Sequence, residues 1–174
     1  MTYIKECKVA TMSKCININR NERGTMDDAI VGYLRNEHNR CDKLYIEAEI
    51  CVNGDRWDRA EVFFQQFCAA LEQHFAMEEN VLFVVYEKAI RSGNEATGVL
   101  RNEHQKIRGI VCMLQDALKR RAKNAFLGHS DTLNIMMQQH NLLEESVLYP
   151  MTDHILFEQK HDIIKAMIEI SAVI

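Results

Sequence analysis

The segment Leu-Arg-Asn-Glu-His occurs twice, at Leu34–His38 and at Leu100–His104. With the chain shifted by 66 residues, so that Leu34 falls on Leu100, the match continues. His74-Phe75-Ala76-Met77-Glu78-Glu79 falls on His140-Asn141-Leu142-Leu143-Glu144-Glu145, and Asn80-Val81-Leu82-Phe83 falls on Ser146-Val147-Leu148-Tyr149. A repeat of this kind limits the fold. The chain is two copies of one supersecondary unit, and each copy buries its apolar face against the other.

The unit is helical. Only one proline, Pro150, and seven glycines interrupt 174 residues, which favours long helices and few turns. A first helix is expected from near Asp27, whose side chain would cap it, to the stop signal Asn53-Gly54-Asp55. Leu34, His38, Cys41 and Tyr45 then share one face. A second helix should run from about Trp57 to about Ile90, with Phe67, Leu71, His74, Glu78 and Leu82 aligned. A third is expected over about Ala96–Lys123, aligning Leu100, His104, Ile107, Val111, Leu114 and Leu118. The fourth and shortest is expected from about Ser130 to Tyr149, where Pro150 should break it. A short amphipathic fifth should cover about Leu156–Ile170. Nothing reads as a strand. The fold class is therefore all-α, an antiparallel up-down four-helix bundle (residues 27–174 with the C-terminal helix) preceded by an N-terminal arm, residues 1–26.

Each copy carries a histidine on its first helix and a His-x-x-x-Glu on its second, 36 residues apart in both copies, as in His38 to His74 and His104 to His140. Residues four apart on a helix lie on one face. His74 and Glu78 point the same way, and so do His140 and Glu144. All six residues, His38, His74, Glu78, His104, His140 and Glu144, fall on the stripe facing the bundle interior. Burying ionised carboxylates without partners is very costly, and cations bound between them remove that cost. Two histidines per metal, with each glutamate giving one oxygen to each metal, provide four protein bonds apiece. A bridging oxide, hydroxide or water would add a fifth and leave one octahedral position open. Imidazole and carboxylate donors suit iron, with manganese, cobalt or zinc as alternatives.

The remaining composition narrows the function classes. A net charge of −4 gives no reason to expect nucleic acid or an acidic membrane as a partner. The one basic run, Lys119–Lys123, lies where a helix should end and suits that helix's dipole. No stretch has the length and apolarity of a membrane span, and the N-terminus does not resemble a signal peptide. The six cysteines form no Cys-x-x-Cys pair and no disulfide framework, which fits buried thiols in a reducing cytoplasm.

At the six donor positions the sequence resembles the hemerythrin-like, or HHE, cation-binding family, over about residues 27–150. The resemblance implies a hemerythrin-type bundle around a non-haem di-iron centre. Two departures refine it. Oxygen-carrying hemerythrins place a fifth histidine one turn after the third-helix one, and this chain has Arg108 there. They also use an aspartate five residues after the last histidine, whereas Glu144 stands four after His140. The pattern is closer to that of bacterial iron–sulfur-repair di-iron proteins. Those usually carry an N-terminal segment with adjacent cysteines, and Cys7 and Cys15 are not adjacent. The family often has a proline after both His-x-x-x-Glu segments. Pro150 follows the second, but Val84 stands at the first, so the second helix should run on unbroken.

Around the site, Glu37 and Glu103 precede the first and third histidines and either guide metal entry or face solvent, with solvent expected. Cys41 and Tyr45, one and two turns past His38, either support the ligands or pack the core, with packing expected. Met77, Met136 and Met137 are read as packing. His129, His154 and His161 have no repeat partner and are not expected to bind the main metals. The resulting functional expectation is a di-iron protein that binds oxygen, nitric oxide or peroxide at an open iron position, for sensing or storage. The alternative is a di-iron enzyme of oxidative or nitrosative defence, or of iron-centre repair. A redox-silent zinc or storage site uses the same donors.

Overall fold

The computed structural model of the chain describes residues 29–90 and 95–171. The expected arm, residues 1–26, and the expected cap Asp27 lie outside them. Helix α1 spans Ile30–Asn53 and α2 spans Trp57–Met77. A π turn, Glu78–Leu82, carries α2 on into α3, Phe83–Ile90. Helix α4 is Glu95–Lys119 and α5 is Lys123–Leu143. A second π turn, Glu144–Leu148, leads into α6, Tyr149–Ile155. A 3₁₀ turn, Phe157–Gln159, precedes α7, Lys160–Ser171. The result is a hairpin of one shorter and one longer rod, made twice and packed antiparallel, as the repeat requires.

The two hairpin turns have the same backbone path. Asp55 and Arg121, 66 residues apart, both adopt left-handed φ, 55° and 52°. Arg56 N donates to Cys51 O and Asp55 N to Val52 O, just as Ala122 N donates to Ala117 O and Arg121 N to Leu118 O. This crossed pair of bonds satisfies the last helical carbonyls. The left-handed residue is Asp55, rather than the glycine beside it. In the second copy the turn is so short that α5 starts at Lys123, seven residues before the expected Ser130. Ser130 is instead fully buried inside α5. The basic run is taken up locally: Arg120 pairs with Asp116, Arg121 with Asp58 and Lys123 with Asp55.

Pro150 does not end the fourth rod, which continues to Ile155. The π turn ends at Leu148, so Pro150 falls in the first turn of a new α segment, where a missing N–H costs least. The proline is not the cause of the π turn, because the first copy forms the same turn with Val84 at that place. The expected continuous second helix, Trp57 to Ile90, is observed with its π turn included.

Two apolar clusters fill the bundle. One gathers Cys41, Tyr45, Phe64, Phe67, Leu71, Phe75, Ile107, Leu114, Phe126 and Leu133. The other gathers Ile30, Leu34, Met77, Leu82, Phe83, Leu100, Leu148 and Tyr149. On every rod the histidines fall between residues of one cluster and residues of the other, as His38 does between Leu34 and Cys41. Full burial of each large side chain contributes roughly 1.5–3 kcal/mol, so the apolar layers hold a polar layer between them. Helix α7 seals the second cluster by burying Ile163 and Met167 there, and packs on α2 and its π turn. The N-terminus of α1 is capped from far along the chain: Ile30 N and Val31 N donate to Asp153 of α6 at 2.8 and 3.2 Å.

Candidate metal centre

The structure brings all six expected donors together. His38, His74, His104 and His140 are each at most 3% exposed, and Glu78 and Glu144 are fully buried. The imidazoles meet in two pairs, each pair from one hairpin. His38 Nε2 lies 3.0 Å from His74 Nε2, and His104 Nε2 lies 3.1 Å from His140 Nε2. Glu144 spans the pairs with different oxygens: Oε2 is 3.2 Å from His38 Nε2, and Oε1 is 3.2 Å from His140 Nε2. Glu78 turns one oxygen, Oε2, to both pairs, 3.4 Å from His74 Nε2 and 3.3 Å from His104 Nε2.

The tandem glutamates exchange partners between the copies. Glu79 Oε1 accepts from His104 Nδ1 at 2.7 Å, so Glu78 and Glu79 bracket one imidazole. Glu145 Oε1 accepts from His38 Nδ1 at 2.9 Å, so Glu144 and Glu145 bracket its repeat mate. A carboxylate on the outer ring nitrogen fixes the tautomer and turns Nε2 inward. Arg108, standing at the fifth-histidine position, clamps this arrangement from outside. Its guanidinium reaches Glu79 Oε1 at 3.0 Å and Glu72 Oε2 at 2.9 Å. Arg35 holds Glu145 in the same way, at 2.9 Å.

Glu103 corrects the expectation of a solvent-facing side chain: its Oε2 accepts from His140 Nδ1 at 3.0 Å. Glu37, its repeat mate, is also only partly exposed, but pairs with Arg40 at 2.7 Å. His74 Nδ1 consequently has no hydrogen-bond partner among the described residues. The tandem Glu-Glu in both copies is the sequence signal for the outer carboxylates.

Tyr149 is not among the expected site residues. Its hydroxyl lies 2.7 Å from Glu78 Oε1, 3.0 Å from Glu144 Oε2 and 3.2 Å from His38 Nε2. Five residues beyond Glu144 on an α-helix would lie about 140° round the axis. The π turn takes an extra residue and swings Tyr149 back toward the centre. Phe83, its repeat mate, occupies the matching place with its ring 6.0 Å from that of His104, and Phe75 stacks on the same imidazole at 3.9 Å. The overlay of Phe83 on Tyr149 is the available sequence signal.

Of the expected supporting residues, Cys41 lies in the first apolar cluster, where burial pushes its thiol up to about 12. Tyr45 directs its hydroxyl to Ser130 Oγ at 2.6 Å, and Ser130 donates to Glu49. Met77 and Met137 are buried in the clusters, and Met136 packs against the first. His154 and His161 are exposed and His129 is half-buried. None of these three joins a metal-capable group among the described residues.

The buried carboxylates and imidazoles shift one another strongly. Burial alone would raise Glu144, but His104, His140 and His38 around it hold it well below the usual carboxylate range. Glu78, buried beside Glu144's charge, is pushed up. Burial opposes charge on His38 and His104, yet the surrounding carboxylates hold them at about 9 and about 10. His74, buried and next to His38, is pushed down. Glu78 Oε2 and Glu144 Oε1 are buried without a hydrogen bond. Two nitrogens bound cis to one ion at about 2.1 Å stand about 3.0 Å apart, which matches both imidazole pairs. The donor set fits a first-row cation, and the candidate groups are His38, His74 and Glu144 on one side and Glu78, His104, His140 and Glu144 on the other.

Searches of curated proteins and of solved structures return no match. The hemerythrin HHE cation-binding domain model matches residues 29–152, a span that contains all six candidate donors, both π turns and Tyr149, and the chain belongs to that family.

Proposed function

We propose that this protein holds a non-haem di-iron centre through His38, His74, Glu78, His104, His140 and Glu144, and binds a small ligand there for sensing or storage. Oxygen, nitric oxide or peroxide is the ligand class. The observation that carries the reading is Glu144. It offers one oxygen to each imidazole pair, and each pair has the nitrogen separation of two ligands on one ion.

Bound iron would supply a redox couple and an open coordination position. The chain's own residues do the rest. Glu145, Glu79 and Glu103 hold the outer nitrogens of His38, His104 and His140, so each Nε2 lone pair faces inward. Phe75 and Phe83 wall the His104 side with hydrocarbon, which excludes water and strengthens the local field. Arg108 and Arg35 neutralise the outer carboxylates and keep them in place. Manganese or zinc is the competing occupant. No described helix is long and apolar enough to cross a membrane. Free thiols at Cys41, Cys51, Cys68 and Cys112 support a reducing, cytoplasmic setting.

Metal analysis of protein purified without added metal, followed by anaerobic titration with nitric oxide, oxygen and peroxide, tests the proposal. About two irons per chain and a stoichiometric, reversible adduct are expected. Many turnovers of peroxide or nitric oxide per iron pair would assign an enzyme of oxidant defence instead. Tightly held zinc that iron does not replace would overturn the reading.

A further inference from the structure

Tyr149 Oη is a single hydroxyl among three acceptor atoms. Glu78 Oε1 is 2.7 Å away, Glu144 Oε2 3.0 Å and His38 Nε2 3.2 Å. A phenol carries one proton and can donate to only one of them well. With both carboxylates ionised, one carboxylate oxygen meets it lone pair to lone pair even when the imidazole donates to the phenol. Bulk solvent does not reach that contact, since Tyr149 is fully buried. A cation shared by the four atoms removes the conflict. The separations are also those between neighbouring donors on one ion, like the 3.0 Å between His38 and His74.

The two copies differ at this point. Tyr149 lies beside His38 with ring centroids 5.7 Å apart, and Phe83 lies beside His104 at 6.0 Å. The backbone is the same in both, with a π turn before each ring. The hydroxyl breaks the symmetry of the repeat at the donor cluster itself, on the side of one imidazole pair.

We propose that Tyr149 is a seventh protein donor, its phenolate oxygen binding the iron held by His38 and His74, so that the two metal positions are chemically different. The inference rests on the di-iron reading above. The O–H bond breaks heterolytically as the metal–oxygen bond forms. The proton leaves to solvent and no electron is transferred. The position at His104 and His140, faced by Phe83, has no such donor.

The test is the ferric, iron-loaded full chain beside its Tyr149→Phe variant, with iron content measured on the same samples. Phenolate bound to iron(III) produces a broad band in the middle of the visible spectrum. Excitation into that band enhances phenolate ring vibrations in the resonance Raman spectrum. Both signatures are expected in the wild type, and both should be lost in Tyr149→Phe while two irons are retained. Two irons in the wild type without enhanced phenolate vibrations would overturn the proposal and leave the di-iron reading standing. A band that persists in Tyr149→Phe would also overturn it. Failure of the wild type to hold two irons would overturn both readings. If Tyr149→Phe does not fold, the wild-type Raman spectrum alone decides.

Discussion

The repeat makes Glu37 and Glu103 equivalent in sequence, yet the structure gives them different work, and this difference can be measured. Glu103 Oε2 receives the Nδ1 proton of His140 at 3.0 Å. Glu37 pairs with Arg40 and leaves His74 Nδ1 without a partner. Removing a carboxylate from the outer nitrogen of a metal-ligating histidine lowers metal affinity roughly 10–100-fold. Glu103 is 30% exposed, so water replaces part of what is lost, which puts Glu103→Ala at the lower end. The expected loss is about tenfold, or about 1.4 kcal/mol. Glu103→Gln keeps an acceptor oxygen and should recover part of it. Glu37→Ala removes a pair three residues apart on one helix, worth about 0.3 kcal/mol of helix stability, and should leave affinity unchanged. Competition between each variant and a chromophoric chelator for cobalt(II) provides the affinities, and circular dichroism checks the fold. Equal losses in the two alanine variants, or a Glu103→Ala affinity within twofold of wild type, would contradict this assignment.

Glu144→Ala should reduce the metal content below two per chain, because Glu144 serves both imidazole pairs, and two tightly bound ions in that variant would rule out its shared role. Asp153→Ala removes the acceptor for Ile30 N and Val31 N and should cost about 1.5 kcal/mol, a fall in Tm of roughly 3–6 °C; an unchanged Tm in thermal denaturation would show that the cap contributes nothing. Metal removal should destabilise the fold, since Glu78 and Glu144 are fully buried. At a free ion concentration of about 100 Kd the stabilisation is about 2.7 kcal/mol, and a Tm indifferent to chelator would count against a metal site here.

The six candidate donors are legible because they obey helical spacing and recur in register. His74 and Glu78 lie one turn apart on α2 and its π turn, and that local relation survives in the folded chain. The start of α5 is hidden because Lys119–Lys123 has no glycine to mark the turn, and Arg121 takes the left-handed conformation itself. Pro150 reads as a stop because a π turn, which leaves room for it, has no signature in apolar periodicity. Glu103 reads as solvent-facing because its partner, His140, belongs to a different helix, and a helical wheel reports only which way a residue points.

Pattern along the chain is enough to require an all-helical protein of two matched hairpins, with four histidines and two glutamates on inward faces. Those properties are local: they follow from 3.6 residues per turn and from a repeat that two copies must satisfy together. Which carboxylate meets which imidazole emerges only when the rods pack. Glu79 reaches His104, Glu145 reaches His38, and Asp153 caps a helix that begins 123 residues earlier. Packing also aims Tyr149, through a π turn, at the centre, where its repeat mate Phe83 carries no hydroxyl. These pairings depend on how rods cross and where one extra residue is inserted, and the pattern along a single helix does not contain that information.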